Sequence, residues 1–163
     1  MINPCYLVKR TRNEDIEHGL IVCKAEKNIV QNLRMPDNNS LIWVTENKAN
    51  EMATNSRCDL VAAPTIKRLF IMHKHWQQNG RIIGYIDVDE FYKLDRNSLK
   101  NYEKGIYIYL TDPYSARVFT KNAMGKNTSD QIVEETIKAL PRIPLKGDKL
   151  DFTSLEREIE PGM

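Results

Sequence analysis

The sequence contains no long hydrophobic run. Its longest apolar stretch is about half a dozen residues, whereas a helix that spans a membrane needs about 20. The N-terminus also lacks the charged segment followed by an apolar one that is typical of a secretory signal. We therefore expect a protein that binds no membrane and works in the cytoplasm, either of the producing cell or of an infected host.

The sequence is also poor in cysteine, and its cysteines are not arranged for chemistry. Cys5, Cys23 and Cys58 are odd in number and widely spaced, with no Cys-x-x-Cys pair. This pattern predicts reduced thiols, with neither a disulfide nor a zinc site, and we expect no metal cofactor. Seven glycines and seven prolines in 163 residues exclude a collagen-like or low-complexity chain.

Neither sign of charge is in large excess. The 24 Lys and Arg residues exceed the 22 Asp and Glu residues by two, which is too little to indicate a nucleic-acid partner and excludes none. The length predicts one globular domain over residues 1–150. Residues 151–163, "DFTSLEREIEPGM", carry one Arg against one Asp and three Glu and predict an acidic C-terminal tail.

Four stretches are rich in β-branched and aromatic residues and are bounded by turn residues. They predict strands at residues 5–11, 41–45, 82–88 and 106–110. Strands and helices alternate without regular βαβ spacing and without a visible internal repeat. The pattern predicts an α+β fold, with a mixed or antiparallel sheet flanked by short helices.

The segment at residues 65–79 has the most helix-like pattern in the chain. Apolar and aromatic residues recur there at helical spacing, and Gly80 stands at the position of a C-cap. The residues that form this stripe are Ile66, Leu69, Phe70, His73 and Trp76. We also predict a helix in "KANEMATNS" and a further strand in "ARVFTKN". The segment "QIVEETIKALPRIPL" fits either a helix with Ile132, Thr136 and Ala139 on one face or a strand with Val133, Glu135 and Ile137 on one side.

Polar residues on the predicted 65–79 helix allow more than one interpretation. Lys67, Arg68 and Lys74 could contact phosphates or could form a solvated face. His73 and His75 are about 200° apart on a helix, so they cannot share one metal ion. His73 is therefore interpreted as a hydrogen-bonded core histidine.

Two segments carry a resemblance to a known family. In "YLVKRTRNEDI", a strand ends in polar residues and leads into an acidic turn, with Tyr6, Thr11, Arg12 and Glu14 followed by Asp15-Ile16. In "SLIWVTENKANEMATN", a strand ending in Trp43-x-Thr45 leads into a helix that begins with small residues. The order resembles the first two elements of the ADP-ribosyltransferase superfamily.

The resemblance implies a fold, a cofactor and a set of site residues. NAD would be the substrate, held by Lys9, Arg10 and Thr11 on the first strand and by Trp43 and Thr45 on the second. Glu134 or Glu135 would be the catalytic carboxylate, because cleavage of the nicotinamide bond passes through a cationic state that a carboxylate stabilises. Leu7 stands where the family carries an arginine, so that role would move to Lys9 or Arg10.

Two classes of function follow from these patterns. The first is ADP-ribosyl transfer from NAD to a protein or nucleic acid. The second is a small non-enzymatic protein of viral or mobile-element origin that binds or inhibits through a protein or nucleic-acid surface. Leu7 favours the second class, and the identity of the macromolecular target is open.

Overall fold

The computed structural model describes residues 2–10, 19–37, 40–75, 80–100 and 105–153. The chain divides into two compact units, Met1–Lys67 and Arg68–Met163. The α+β class is confirmed, since each unit combines helices with antiparallel strands. The single domain over residues 1–150 stays a prediction, and residues 154–163 of the acidic tail lie outside the described residues.

The first unit contains a three-stranded antiparallel sheet and one long helix. Its elements are β1 (Pro4–Arg10), β2 (Gly19–Glu26), α1 (Lys27–Val30), β3 (Leu41–Thr45) and α2 (Glu46–Ser56). The strand order is β2-β1-β3, so the first strand is central. Helix α2 packs on one face of this sheet, where Tyr6 of β1 meets Ala49 of the helix and Ala63 after it.

The second unit contains a similar sheet, two long helices and a small hairpin. Its elements are β4 (Arg68–His75), β5 (Arg81–Asp87), α3 (Val88–Phe91), a 3-10 helix (Arg96–Lys100), β6 (Ile106–Thr111), α4 (Pro113–Met124), α5 (Asp130–Lys138), β7 (Leu145–Lys146) and β8 (Lys149–Leu150). The strand order is β5-β4-β6. Phe70 of β4 packs against Ala116 of α4 and against Val133 and Ile137 of α5, which places both helices on one sheet face.

The two units have the same topology, a repeat that was not visible in the sequence. In both, a hairpin leads into a four-residue helix, the third strand pairs with the other side of the first, and a long helix follows at once. The hairpin register shifts at the same place in both, between Leu7 and Val8 and between Ile71 and Met72. The expectation of no internal repeat is therefore wrong at the level of the fold.

The repeat extends beyond the sheets to the segment that follows each helix. In both units this segment forms a parallel bridge to the second strand, Thr65 with Lys24 and Arg142 with Tyr85. The bridges use the same pair of hydrogen bonds, and the flanking residues match as Pro-x-Ile. The bonds are Lys24 N to Pro64 O at 2.9 Å, Ile66 N to Lys24 O at 3.0 Å, Tyr85 N to Pro141 O at 3.0 Å and Ile143 N to Tyr85 O at 2.8 Å.

The predicted helix over residues 65–79 is wrong, because Arg68–His75 is strand β4. Leu69, Phe70, Ile71 and Met72 are at most 5% exposed, so both faces of this central strand are buried. A continuous apolar run matches a helical stripe as well as a strand, since every spacing is occupied. Trp76 lies outside the described residues.

The predicted strand in "ARVFTKN" is also wrong, because this segment belongs to α4. The Asp112 side chain accepts a hydrogen bond from Ser115 N at 2.8 Å, and Pro113 occupies the first turn. Both features are helix-start signals, and they outweigh the strand preference of the residues that follow.

The ambiguous segment "QIVEETIK" is a helix, α5. Its buried face carries Val133 and Ile137, whereas Ile132 on the predicted face is 48% exposed. The predicted strands agree with β1, β3, β5 and β6 to within about a residue wherever the structure describes them.

Candidate functional site

The cofactor-binding residues predicted in the first unit lie at two different ends of its sheet. Lys9 is exposed at the end of β1 and pairs with Leu41, whereas Thr45 pairs with Cys5 at the other end. Four strand residues span about 13 Å, so Lys9 does not lie beside Thr45. Thr11 lies outside the described residues.

Trp43 and Thr45 have structural roles in the first unit, one inside the sheet and the other at the start of a helix. The Thr45 hydroxyl caps α2 by accepting a hydrogen bond from Lys48 N at 3.3 Å. Trp43 pairs with the fully buried Leu7 in the middle of the sheet. Its Nε1 is buried, and it has no hydrogen-bond partner in the part of the chain that the structure describes.

The two predicted catalytic glutamates lie on α5 in the second unit. Glu134 forms a two-pronged ion pair with Arg117 of α4, in which Nε contacts Oε1 and Nη2 donates to Oε2 at 3.4 Å. Glu135 is exposed and accepts a hydrogen bond from Gln131 Nε2 at 3.3 Å. Glu134 thus links two helices, whereas Glu135 contacts a neighbour on its own helix.

A group of basic side chains lies at one end of the second sheet. We call His73, Lys74, His75 and Arg81 the strand-end cluster. His73 pairs with Arg81 across the hairpin, so these two side chains share one sheet face, and His75 lies two residues further along that face. Lys74 points to the other face and pairs with Tyr107 of β6. Arg81 is exposed and the other three residues are partly exposed.

The strand-end cluster is electropositive. The pKa of His73 lies below its ordinary value of 6.5, first because of burial and then because of the positive charges of Arg81 and His75. Among the described residues, no carboxylate forms an ion pair with His73, Lys74 or Arg81. Elsewhere in the unit, Arg142 pairs with Asp87 at 3.4 Å and with Glu90 at 3.2 Å.

The repeat places basic residues at the same position in the first unit. When the matching register shifts of β1 and β4 are superposed, Lys9 corresponds to His73 and Arg10 to Lys74. The first strand of each unit therefore ends in basic residues. This correspondence accounts for the polar end of the strand in "CYLVKRT" without requiring a role in NAD binding.

The strand-end cluster was missed in the sequence because His73, Lys74 and His75 were assigned to a helix. On a strand, His73 and His75 lie on the same face, which removes the earlier reason for excluding a shared ion. The described residues nevertheless contain no group of three or more His, Cys, Asp or Glu side chains that could hold a metal. The signal in the sequence was the run of three basic residues, His73, Lys74 and His75, directly after the apolar run "LFIM".

A scan against protein-family models and searches of curated proteins and solved structures found no match to this chain. The resemblance to the ADP-ribosyltransferase superfamily therefore stays a prediction. Within the described ranges, none of the helices has both the length and the apolar character needed to cross a membrane.

Proposed function

We propose that this chain is a binding protein that holds the phosphate backbone of a nucleic acid at the strand-end cluster. The observation that carries this proposal is that His73, Lys74 and Arg81 lie at one end of β4 and β5, where no carboxylate of the described residues forms an ion pair with them. The proposal belongs to the binding class of function and requires no catalytic residue.

The energetics of the sheet support an anionic ligand. Like charges directly opposite each other on neighbouring strands destabilise a sheet, and His73 and Arg81 form such a pair once His73 is protonated. A bound phosphate would remove this repulsion and accept hydrogen bonds from the guanidinium and the imidazolium. The exposed Arg81 is well suited to this role, because its planar donors match phosphate geometry.

ADP-ribosyl transfer has less support from the described residues. The Lys9 end of β1 and Thr45 lie at opposite ends of one sheet, and Glu134 is engaged by Arg117. NAD contains two phosphates and could still bind to basic residues, so the two functions must be separated by experiment. Release of nicotinamide from labelled NAD would support the transferase instead.

Titration of a labelled 12-nucleotide oligodeoxythymidine at several salt concentrations tests the proposal. We expect the logarithm of the binding constant to fall linearly with the logarithm of salt concentration. Arg81→Gln and Lys74→Gln should each weaken binding and reduce the slope by roughly 0.7, the contribution of one phosphate contact on a single strand.

Lys121→Gln is the matched control, because Lys121 is a cation of the same unit that pairs with Asp130 at 2.9 Å. This variant loses one positive charge outside the strand-end cluster and should leave the salt slope unchanged. Equal slopes for the wild type and both cluster variants would overturn the proposal.

A further inference from the structure

Two tyrosines lie beside the strand-end cluster on β6. The rings of Tyr107 and Tyr109 are nearly parallel, with an interplanar angle of 10° and centroids 6.1 Å apart. Both residues are partly exposed. They alternate along the strand, so their side chains point to the same face of the sheet.

Lys74 shares that sheet face with the tyrosines. It pairs with Tyr107 across β4 and β6, and Met72 pairs with Tyr109. Residues directly opposite on neighbouring antiparallel strands have Cβ atoms about 5 Å apart, so a cation and an aromatic ring lie within reach of one nucleotide. The cation can contact the phosphate of a nucleotide, and the aromatic ring can stack on its base.

A single strand fits this combination of groups better than a duplex does. In a single strand each base offers a flat face on which an aromatic side chain can stack, whereas in a duplex both faces are covered by neighbouring base pairs. Such stacking tolerates any sequence, because every base has a flat π-system. Two tyrosines along one strand supply two successive stacking positions.

We infer that the ligand of the strand-end cluster is single-stranded nucleic acid, whose bases stack on Tyr107 and Tyr109 while its phosphates contact Lys74 on the same sheet face. This inference rests on the proposed function, to which it adds the class of nucleic acid and the residues that contact the bases. It assigns the tyrosines a binding role in addition to packing on the sheet.

The experiment compares three labelled ligands of equal length at one salt concentration: oligodeoxythymidine, the same backbone with abasic sites, and a duplex. The single strand with bases should bind most tightly. Tyr107→Ile and Tyr109→Ile, which replace the rings by residues that favour strands, should each weaken its binding about fivefold or more and leave the abasic ligand unaffected. Tyr107→Phe should bind as the wild type does, because it retains the ring.

Tyr92→Leu is the matched control, because Tyr92 is 49% exposed and directly follows α3 instead of belonging to β6. It should bind every ligand as the wild type does. The unfolding midpoint of each variant shows whether it folds. If the isoleucine variants fail to fold, Tyr107→Phe remains informative.

The outcomes separate this inference from the proposed function. If the abasic backbone or the duplex binds as tightly as the single strand, or if the isoleucine variants bind normally, stacking is refuted and phosphate binding stands. If none of the three ligands binds in a salt-dependent manner, the proposed function itself fails.

Discussion

At the scale of single residues, two glycines occupy matching positions in the two units but have different surroundings. A Cβ on Gly19 would lie 2.5 Å from the carbonyl oxygen of Lys9 and 2.7 Å from Val8 Cγ1. A Cβ on Gly80 would meet the flexible end of the Met72 side chain. The first obstacle includes backbone, whereas the second can rotate away.

We therefore expect Gly19→Ala to destabilise the protein more than Gly80→Ala does. The cost for Gly19→Ala should be roughly 1–3 kcal/mol, the usual penalty of overpacking. Urea unfolding of both variants measures the difference, and Gly80→Ala is the matched control. Equal losses in the two variants would contradict the close approach of β2 to the Lys9 carbonyl.

His73 provides a pH-dependent test of the strand-end cluster. Its pKa in the folded protein is lowered by burial and by the charges of Arg81 on β5 and His75 on β4, while Ile108 faces it from β6 without charge. The unfolded chain therefore takes up a proton first as the pH falls below 6.5. The stability contributed by neutral His73 is complete above this pH and is lost below it.

We expect His73→Gln to reduce the fall in the free energy of unfolding between pH 6.5 and pH 5, as measured by urea titration. A bound phosphate stabilises the protonated imidazole, so oligonucleotide binding by the wild type should tighten over the same range. The variant should show a weaker pH dependence of binding. Identical pH profiles for both proteins would show that His73 does not face the ligand.

At the scale of elements, the start of α4 depends on one buried carboxylate. Asp112 is fully buried and accepts hydrogen bonds from Ser115 N at 2.8 Å and from Ser115 Oγ at 2.6 Å. Burial raises the pKa of Asp112, and these hydrogen bonds oppose the rise without cancelling it. The folded state therefore holds this proton more tightly than the unfolded state, and stability is lost as the pH rises through the raised pKa.

We expect Asp112→Asn and Asp112→Ala to differ at neutral pH. The asparagine keeps a capping oxygen and removes the buried charge, so its free energy of unfolding at pH 7 should equal or exceed that of the wild type. The alanine loses the cap and should cost about 1–2 kcal/mol. Thermal unfolding at pH 4 and pH 7 tests this, and an asparagine variant as unstable as the alanine variant would contradict it.

The elements that the sequence predicted correctly are those with local signals. β6 alternates aromatic and aliphatic residues, β3 is rich in β-branched residues and contains one tryptophan, and turn residues precede both. β4 was missed because its burial on both faces comes from tertiary packing, and a run such as "LFIM" has no period that distinguishes strand from helix. The same error concealed the strand-end cluster, since the pairing of His73 with Arg81 depends on strand register.

At the scale of the whole molecule, the repeat explains why two distant segments carry similar chemistry. The equivalent helices each bury an alanine completely, Ala49 and Ala116, four residues after the capping residues Thr45 and Asp112. Few other residues match, and the connections between elements differ in length, so no fixed sequence period exists. Only the strand register makes the correspondence of Lys9 with His73 visible.

We expect the first unit also to contribute to nucleic-acid binding. Lys9 is exposed and occupies the position in the first unit that His73 occupies in the second. Lys9→Gln should therefore reduce the salt slope for an oligonucleotide of about 30 nucleotides by roughly 0.7. Lys48→Gln on α2 removes the same charge from the same unit and serves as its control.

Length dependence makes this prediction sharper. Two sites on one chain raise the effective concentration of a ligand long enough to engage both, so a long strand should gain affinity over a short one beyond the gain from extra binding registers. Lys9→Gln should reduce the gain in affinity with oligonucleotide length. It should not change the binding of an oligonucleotide of about six nucleotides to the second unit. If Lys9→Gln and Lys48→Gln give the same slope and the same length dependence, the strand-end cluster of the second unit acts alone.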